Sequence, residues 1–250
     1  MPASTVPETV SSLVREDAAR PLLTFYDDAT GERVELSVAT FANWVAKTAS
    51  LALDELDVEP GTLALLDLPT HWLGAVWLVA AWTAGYRVST DPADADRAGL
   101  VVCGPSSLAQ HAAAADRVPV VALSLRPLGG RFTDPLPPGV TDYGAVVLAQ
   151  PDAFVPLAPP QPASPAWEER GEALTQQGLL AMGGADPAVD EGGRLLTDVN
   201  PCSRQGAVLI ASLLDRSAGA VLVANPDEAS WPSRFAQERA TAELRATRAG

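Results

Sequence analysis

Apolar and polar positions along this 250-residue chain repeat in short blocks whose period switches between two and about three and a half. Leu22-Leu23-Thr24-Phe25-Tyr26 and Arg33-Val34-Glu35-Leu36 have strand character, and the turn-forming run from Asp27 to Glu32 predicts a hairpin. Ser37 stands as an N-cap before Val38, Phe41, Val45, Thr48, Ala52 and Leu56, whose spacing puts one apolar stripe on a helix. Leu63 to Asp67 predicts a strand. His71 to Ala84 predicts a helix apolar nearly all round, with Gly85 to stop it, and Tyr86 to Thr90 the next strand. The alternation continues with strands at 100–103, 118–125, 145–149, 194–199 and 220–224 and helices at 106–115, 166–182, 205–217 and 231–248. The class predicted is α/β, a doubly wound, mostly parallel sheet with helices on both faces, preceded by a β-hairpin. Its organisation is an N-terminal helix or extension (1–20), an α/β domain (21–225) and a C-terminal helix (226–250).

One stretch breaks the rhythm. Residues 151–165, PDAFVPLAPPQPASP, hold six prolines and no apolar period, which predicts an extended, polyproline-like loop. Charge narrows the partners: 17 Lys and Arg against 31 Asp and Glu leave −14, the wrong sign for nucleic acid or an anionic membrane. Two cysteines exclude a disulfide scaffold and a Cys-rich zinc site. The opening MPASTVPETVSSLVRED lacks a signal-length apolar core, and the apolar runs at 72–84 and 207–214 are too short to span a bilayer. The expected location is the cytoplasm. Lys47 is the single lysine, so any lysine chemistry must use it.

Ligand crevices of α/β proteins form beyond the C-terminal ends of the strands, which singles out Thr70 and His71 after one strand and Cys202, Ser203 and Arg204 after another. These five are the candidate ligand-binding residues. A reactive Cys202 needs a nearby cation such as Arg204, and a partly buried, inert cysteine is the competing reading. Gly104-Pro105-Ser106-Ser107 follows a strand and opens a helix, superficially like a nucleophile elbow. It lacks the closing glycine, and His111 lies one turn along the same helix as Ser107, so a capping serine is the simpler account. Neither Asp94 and Asp96 nor Asp186, Asp190 and Glu191 has calcium-loop spacing, so no metal is expected. Trp72, Trp77 and Trp82 stand five apart, which distributes them around a helix as core rather than as a stacking site. Arg239, Arg245 and Arg248 read as a solvated or docking face of the last helix.

From Leu22 to Pro92 the chain resembles the N-terminal region of the adenylate-forming (AMP-binding) enzymes, the acyl-CoA synthetases and their relatives. The likeness is carried by the hairpin and helix, and by Pro60-Gly61, Leu68-Pro69, Ala84-Gly85 and Asp91-Pro92 at matching places in a strand–helix–strand unit. Leu174-Thr175-Gln176-Gln177-Gly178-Leu179-Leu180 is similar to the family's "LTH.NLL" helix start, and Arg194 to Val223 to its "LP.FH" unit. The whole chain resembles a bacterial group of about this length that looks like the truncated start of such enzymes. In that family a Gly-rich, Lys-bearing phosphate loop precedes the "LTH" helix. Here the place is taken by the proline-rich stretch from Phe154 to Trp167, then Glu168 and Glu169. Proline removes backbone donors and carboxylates repel a triphosphate. Asn200-Pro201-Cys202-Ser203 replaces the aromatic-His, and the sequence ends before the ribose-binding Asp, the hinge and the lysine-bearing lobe. Lys47, mid-helix in the first part of the chain, is no substitute. The resemblance thus implies a catalytically degenerate relative with no catalytic residue and no cofactor, acting by non-catalytic binding or regulation. The alternative is an acyl-CoA synthetase-type ligase subunit completed by a separate chain. The partners expected are a protein, a second copy of the chain, or a vestigial small-molecule ligand, and neither nucleic acid nor membrane.

Overall fold

The computed structural model describes residues 4–186 and 188–247. Helix α1 (Val6–Asp17) starts where the Glu8 carboxylate accepts from the Ser4 and Thr5 amides at 2.9 and 3.2 Å. Strands β1 (Pro21–Asp27) and β2 (Glu32–Ser37) form the expected hairpin, with Gly31 in the left-handed region where the chain turns back. Ser37 Oγ accepts from the Thr40 amide at 3.1 Å and so opens α2 (Val38–Ser50), whose helix widens to a π-turn over Leu51–Glu55.

The chain then builds a second sheet. Its strands are β3 (Leu63–Asp67), β4 (Arg87–Ser89), β5 (Leu100–Cys103), β6 (Val120–Ala122), β7 (Val140–Asp142), β8 (Pro165–Glu169) and β9 (Glu172–Thr175). Their order is β7-β6-β5-β3-β4-β8-β9, parallel throughout except for the β8–β9 hairpin. Helix α3 (Trp72–Thr83) joins β3 to β4, while the short helices α4 (Leu108–His111) and α5 (Tyr143–Val146) follow β5 and β7. After α6 (Gln176–Ala185) the chain returns to the first sheet with β10 (Arg194–Thr197), α7 (Arg204–Asp215), β11 (Gly219–Ala224), α8 (Trp231–Gln237) and β12 (Ala242–Leu244). That sheet has the order β12-β10-β11-β1-β2, parallel except for the N-terminal hairpin.

The α/β class and the mostly parallel pairing stand, with the strands divided between two sheets rather than wound into one. Close packing of α6 on α7 joins the two sheets, and so does helix α3. It touches β1 of the first sheet and β3 and β4 of the second, and each of its residues is buried. Trp72, Trp77 and Trp82 lie among the largest fully buried side chains. An indole buries roughly 150–250 Å², so these three anchor the layer between the sheets. Trp82 also donates its indole N–H to the Ala166 carbonyl at 2.9 Å, tying α3 to β8.

Three expected elements differ. Residues 145–149 are helical, in α5 and a following 3-10 turn, and the strand lies earlier at Val140–Asp142. The Asp142 carboxylate accepts from the Gly144 amide at 3.1 Å and starts a helix where an apolar run alone looks like a strand. The helix expected over 166–182 is the β8–β9 hairpin followed by α6. Arg170 and Gly171 both have positive φ, the signature of a tight two-residue hairpin turn, and Thr175 Oγ1 caps α6 at the Gly178 amide, 3.0 Å away. The C-terminal helix assigned to 226–250 spans only Trp231–Gln237, because Arg239 turns left-handed and Ala242–Leu244 pairs in parallel with β10. Arg248 lies outside the described residues. Among the described residues no helix is long and apolar enough to cross a membrane.

Candidate functional site

The two strand-end segments named from the sequence meet at the seam between the sheets. Beyond β3 the chain runs Leu68-Pro69-Thr70-His71 into α3, and beyond β10 it runs Asn200-Pro201-Cys202-Ser203 into α7. Asn200 Nδ2 donates to the Leu68 carbonyl at 2.8 Å, and a Cβ on Gly74 of α3 would stand 3.1 Å from Cys202 Sγ. The segments that carry Thr70, His71 and Cys202 thus meet at this seam. Ser203 is spent as a cap: its Oγ accepts from the Gly206 amide at 2.9 Å and donates to the Asn200 carbonyl at 2.7 Å. Arg204 leaves the seam for Glu172 on β9, its Nε 2.9 Å from the carboxylate.

The chemistry of the seam is that of neutral, buried groups. His71 caps α3 by accepting the Leu73 amide on Nδ1 at 3.1 Å, and its ring lies 4.7 Å from that of Phe25. Burial lowers its pKa to about 4. A neutral ring that accepts on Nδ1 carries its proton on Nε2, and that buried atom meets no hydrogen-bond partner among the described residues. Cys202 is buried, and desolvation pushes its thiol far above its ordinary value. With Arg204 paired to Glu172, the cation that would make Cys202 reactive is absent from its side. Cys103, inside β5, is pushed up to about 12 by the same cause.

The seam is also tightly filled. Two apolar voids, one between β1, α2 and α7 and one between β1, β10, β11 and α7, have volumes of about 10 Å³ each, near the lower limit for one water. The second is lined in part by Val199, Pro201 and Gly206. Gly206 is required there, since a Cβ would stand 2.0 Å from the Asn200 carbonyl oxygen. Asn200, named from the sequence only within a replaced motif, and Gly206 are seam residues absent from the five candidates, and the visible signal for both was their spacing around the capping Ser203.

The strand order of the second sheet reverses at β3, with β4 on one side and β5 on the other, which is where an α/β sheet normally opens a crevice. Here the chain closes it. His111 Nε2 lies 2.7 Å from the Asp67 carboxylate, and Ser107 Oγ donates to the Asp67 carbonyl at 2.9 Å. Ser107 is therefore a loop staple, with its proton engaged by the backbone rather than by His111. Among the described residues no group of three or more His, Cys, Asp or Glu is placed to hold a metal ion.

The proline-rich stretch and the β8–β9 hairpin stand beside β4. The Glu168 carboxylate pairs with both Arg87 and Arg97, and the Arg97 guanidinium holds its pKa below the ordinary carboxylate value. Glu169 accepts from the Thr90 amide and hydroxyl at 3.0 and 2.8 Å, and Arg170 reaches Asp91 at 2.7 Å. The cations and donors at this edge are occupied by carboxylates of the chain itself.

Comparison places this architecture. A Brucella canis acyl-CoA synthetase superposes with a TM-score of 0.77 at 15% identity, over 95% of this chain and 47% of that one. The N-terminal domain of FACL13 from Mycobacterium tuberculosis gives 0.71 at 13% identity over 94% and 61%, and coronafacic acid ligase from Pectobacterium brasiliense 0.75 at 8% over 97% and 50%. The chain thus has the fold of the N-terminal region of acyl-CoA synthetases and spans about half the length of these structures. No family model matches it. A TIGR03089 family protein of Mycobacterium tuberculosis is 36% identical over 250 residues, covering 96% of this chain and 100% of that protein. On that identity, held across both chains, this chain belongs to the TIGR03089 family.

Proposed function

We propose that this chain is a catalytically degenerate relative of the adenylate-forming N-terminal region, a cytoplasmic protein that acts by binding or regulation rather than by turnover. The observation that supports the reading is the edge formed by β4, β8 and β9. Resemblance puts the phosphate loop immediately before α6, and a triphosphate there needs free backbone N–H groups and an unpaired cation. The chain instead offers the β8–β9 hairpin behind a proline-rich stretch, with the Glu168 and Glu169 carboxylates, Arg87 and Arg97 already paired to Glu168, and Arg170 at the turn paired to Asp91. The Thr70, His71 and Cys202 seam adds no nucleophile, base or cation. The second reading, a ligase subunit completed by a separate chain, draws on the half-length match to the solved synthetases.

Thermal unfolding with millimolar Mg-ATP, AMP or an acyl-CoA tests the choice. A ligand at about 100 times its Kd stabilises by about 2.7 kcal/mol, a shift of several degrees at most. No shift is expected with either nucleotide. A shift with Mg-ATP or AMP overturns the reading in favour of the ligase subunit. A shift with acyl-CoA alone keeps it and assigns the ligand to a residual crevice, which His71→Ala then checks.

A further inference from the structure

We propose that residues 155–159, Val-Pro-Leu-Ala-Pro, form a tethered docking strap for a partner protein whose groove is lined with aromatic side chains and edged with basic ones. The strap is fastened at both ends. At its root Lys47 Nζ donates to the Gln150 carbonyl and stands 3.0 Å from the Asp152 carboxylate. At its far end the Gln176 and Gln177 amides donate to the Ser164 and Pro162 carbonyls at 2.9 and 3.0 Å, and the Gln161 amide to Ser164 Oγ at 2.8 Å. Phe154 packs against the core and Pro160 is buried; between them Val155, Leu157, Ala158 and Pro159 are exposed and Pro156 is half-buried.

What it presents is unusual for a surface. Val155 is 88% exposed and Leu157 fully exposed, among the few large apolar side chains so placed in the described residues. Each belongs to a segment in which proline fixes φ near the polyproline value. Val155-Pro156 and Ala158-Pro159 are two apolar–proline dipeptides three residues apart. Three residues make one turn of a polyproline helix, about 9 Å, so both dipeptides face the same side once the chain is straight. This is the pattern that grooves walled by aromatic rings recognise, one dipeptide per slot. The chain bends at Leu157–Ala158, between the two dipeptides, and straightening that bend is the ordering a partner must impose. The fixed ends limit its cost.

Charge and composition select the occupant. A second copy of this chain brings no groove of the right kind: among the described residues each aromatic side chain is buried or half-buried. A net charge of −14 disfavours an anionic lipid surface and attracts a basic groove edge. The inference deepens the reading of the chain as a binding protein and rests on it, yet the two fail separately. Nucleotide binding would overturn that reading without touching the strap.

The test is photo-crosslinking of the full chain in its own cells, with benzoylphenylalanine replacing Leu157 and, as a control, replacing exposed Leu148 outside the strap. The expected result is a Leu157-specific adduct to one protein, with the crosslinked peptide mapping to an aromatic-rich groove. In the Pro156→Ala/Pro159→Ala background its yield falls about tenfold, the loss of roughly 1.4 kcal/mol of binding free energy. Unchanged circular dichroism and melting of that double variant show that the fold is intact. Equal adducts from both positions, an adduct to the chain itself or to lipid, insensitivity to the proline changes, or no adduct each overturn the proposal.

Discussion

Helix α3 and the β8–β9 hairpin flank the same strand, β4, and differ in how they meet water: β8 shares the core through Ala166 and Trp167, but the rest of the hairpin faces out. Around α3 the contacts are apolar and closed to water, with indoles, valines and leucines packed on every side. Around the hairpin they are ionic and half open: Arg97 keeps 56% of its side chain exposed while it pairs with Glu168, and Arg170 keeps 76% while it pairs with Asp91. Burial of apolar area accumulates into many kilocalories, whereas exposed ion pairs contribute about 0–1 kcal/mol each. The layer between the sheets therefore carries the stability. The ion pairs on the outer face of the hairpin fix its shape but contribute little energy.

The largest effect that sharpens this contrast is expected at Trp77. Trp77→Ala removes a fully buried indole lying 5.5 Å from the Tyr143 ring and should cost about 3–5 kcal/mol in urea unfolding. A loss below about 1 kcal/mol would mean that α3 is not an anchor between the sheets. The second effect depends on pH. His71 has its folded pKa lowered to about 4 from an ordinary 6.5, so the unfolded chain binds the proton first as pH falls. Stability from this group is complete above pH 6.5 and is lost toward pH 4, by about 2 kcal/mol at pH 5. His71→Asn keeps a capping acceptor, and unfolding at pH 7 and pH 5 should show that part of the slope removed. An unchanged slope would place the titrating group elsewhere.

A third test addresses the seam itself. Gly206→Ala forces a Cβ into the Asn200 carbonyl and should cost about 1–3 kcal/mol, read from the urea midpoint. A neutral result would mean that the β10–α7 loop moves freely away from α3. The smallest effect belongs to the hairpin. Glu168→Gln breaks two partly exposed pairs and should cost less than about 1 kcal/mol globally, while hydrogen exchange over residues 165–175 speeds up. A global loss as large as that of Trp77→Ala would erase the difference between the two regions.

How far these regions were legible in the sequence follows the same divide. The Ser37 cap, the stripe on α2 and the all-apolar α3 follow from local spacing, because burial imposes one periodicity on each element. The β8–β9 hairpin was not legible as such. Its signal is Arg170-Gly171, two residues that turn only because both adopt positive φ, set inside a run whose composition equally suits a helix. The partition into two sheets was hidden for another reason: the pairing of β1 with β11 joins segments far apart in the sequence, and no local spacing specifies it. At the seam, chain position located His71 and Cys202. Their inertness is a product of burial, which no motif announces, and Arg204 points away because Glu172 arrives from a hairpin the sequence did not reveal.

The register of the first sheet has a consequence for how the chain is made. Leu23 sits beside Ala220, so the central pairing of that sheet joins residues from opposite ends of the polypeptide. At about 5–20 residues per second, a ribosome needs roughly 10–40 s to deliver the second partner after the first has emerged. Through that interval the N-terminal hairpin has α2 and α3 to pack on but one bare strand edge, while β3 to β7, close together in sequence, have their neighbours at hand. The nascent chain is therefore expected to nucleate in its middle, with its two ends closing last.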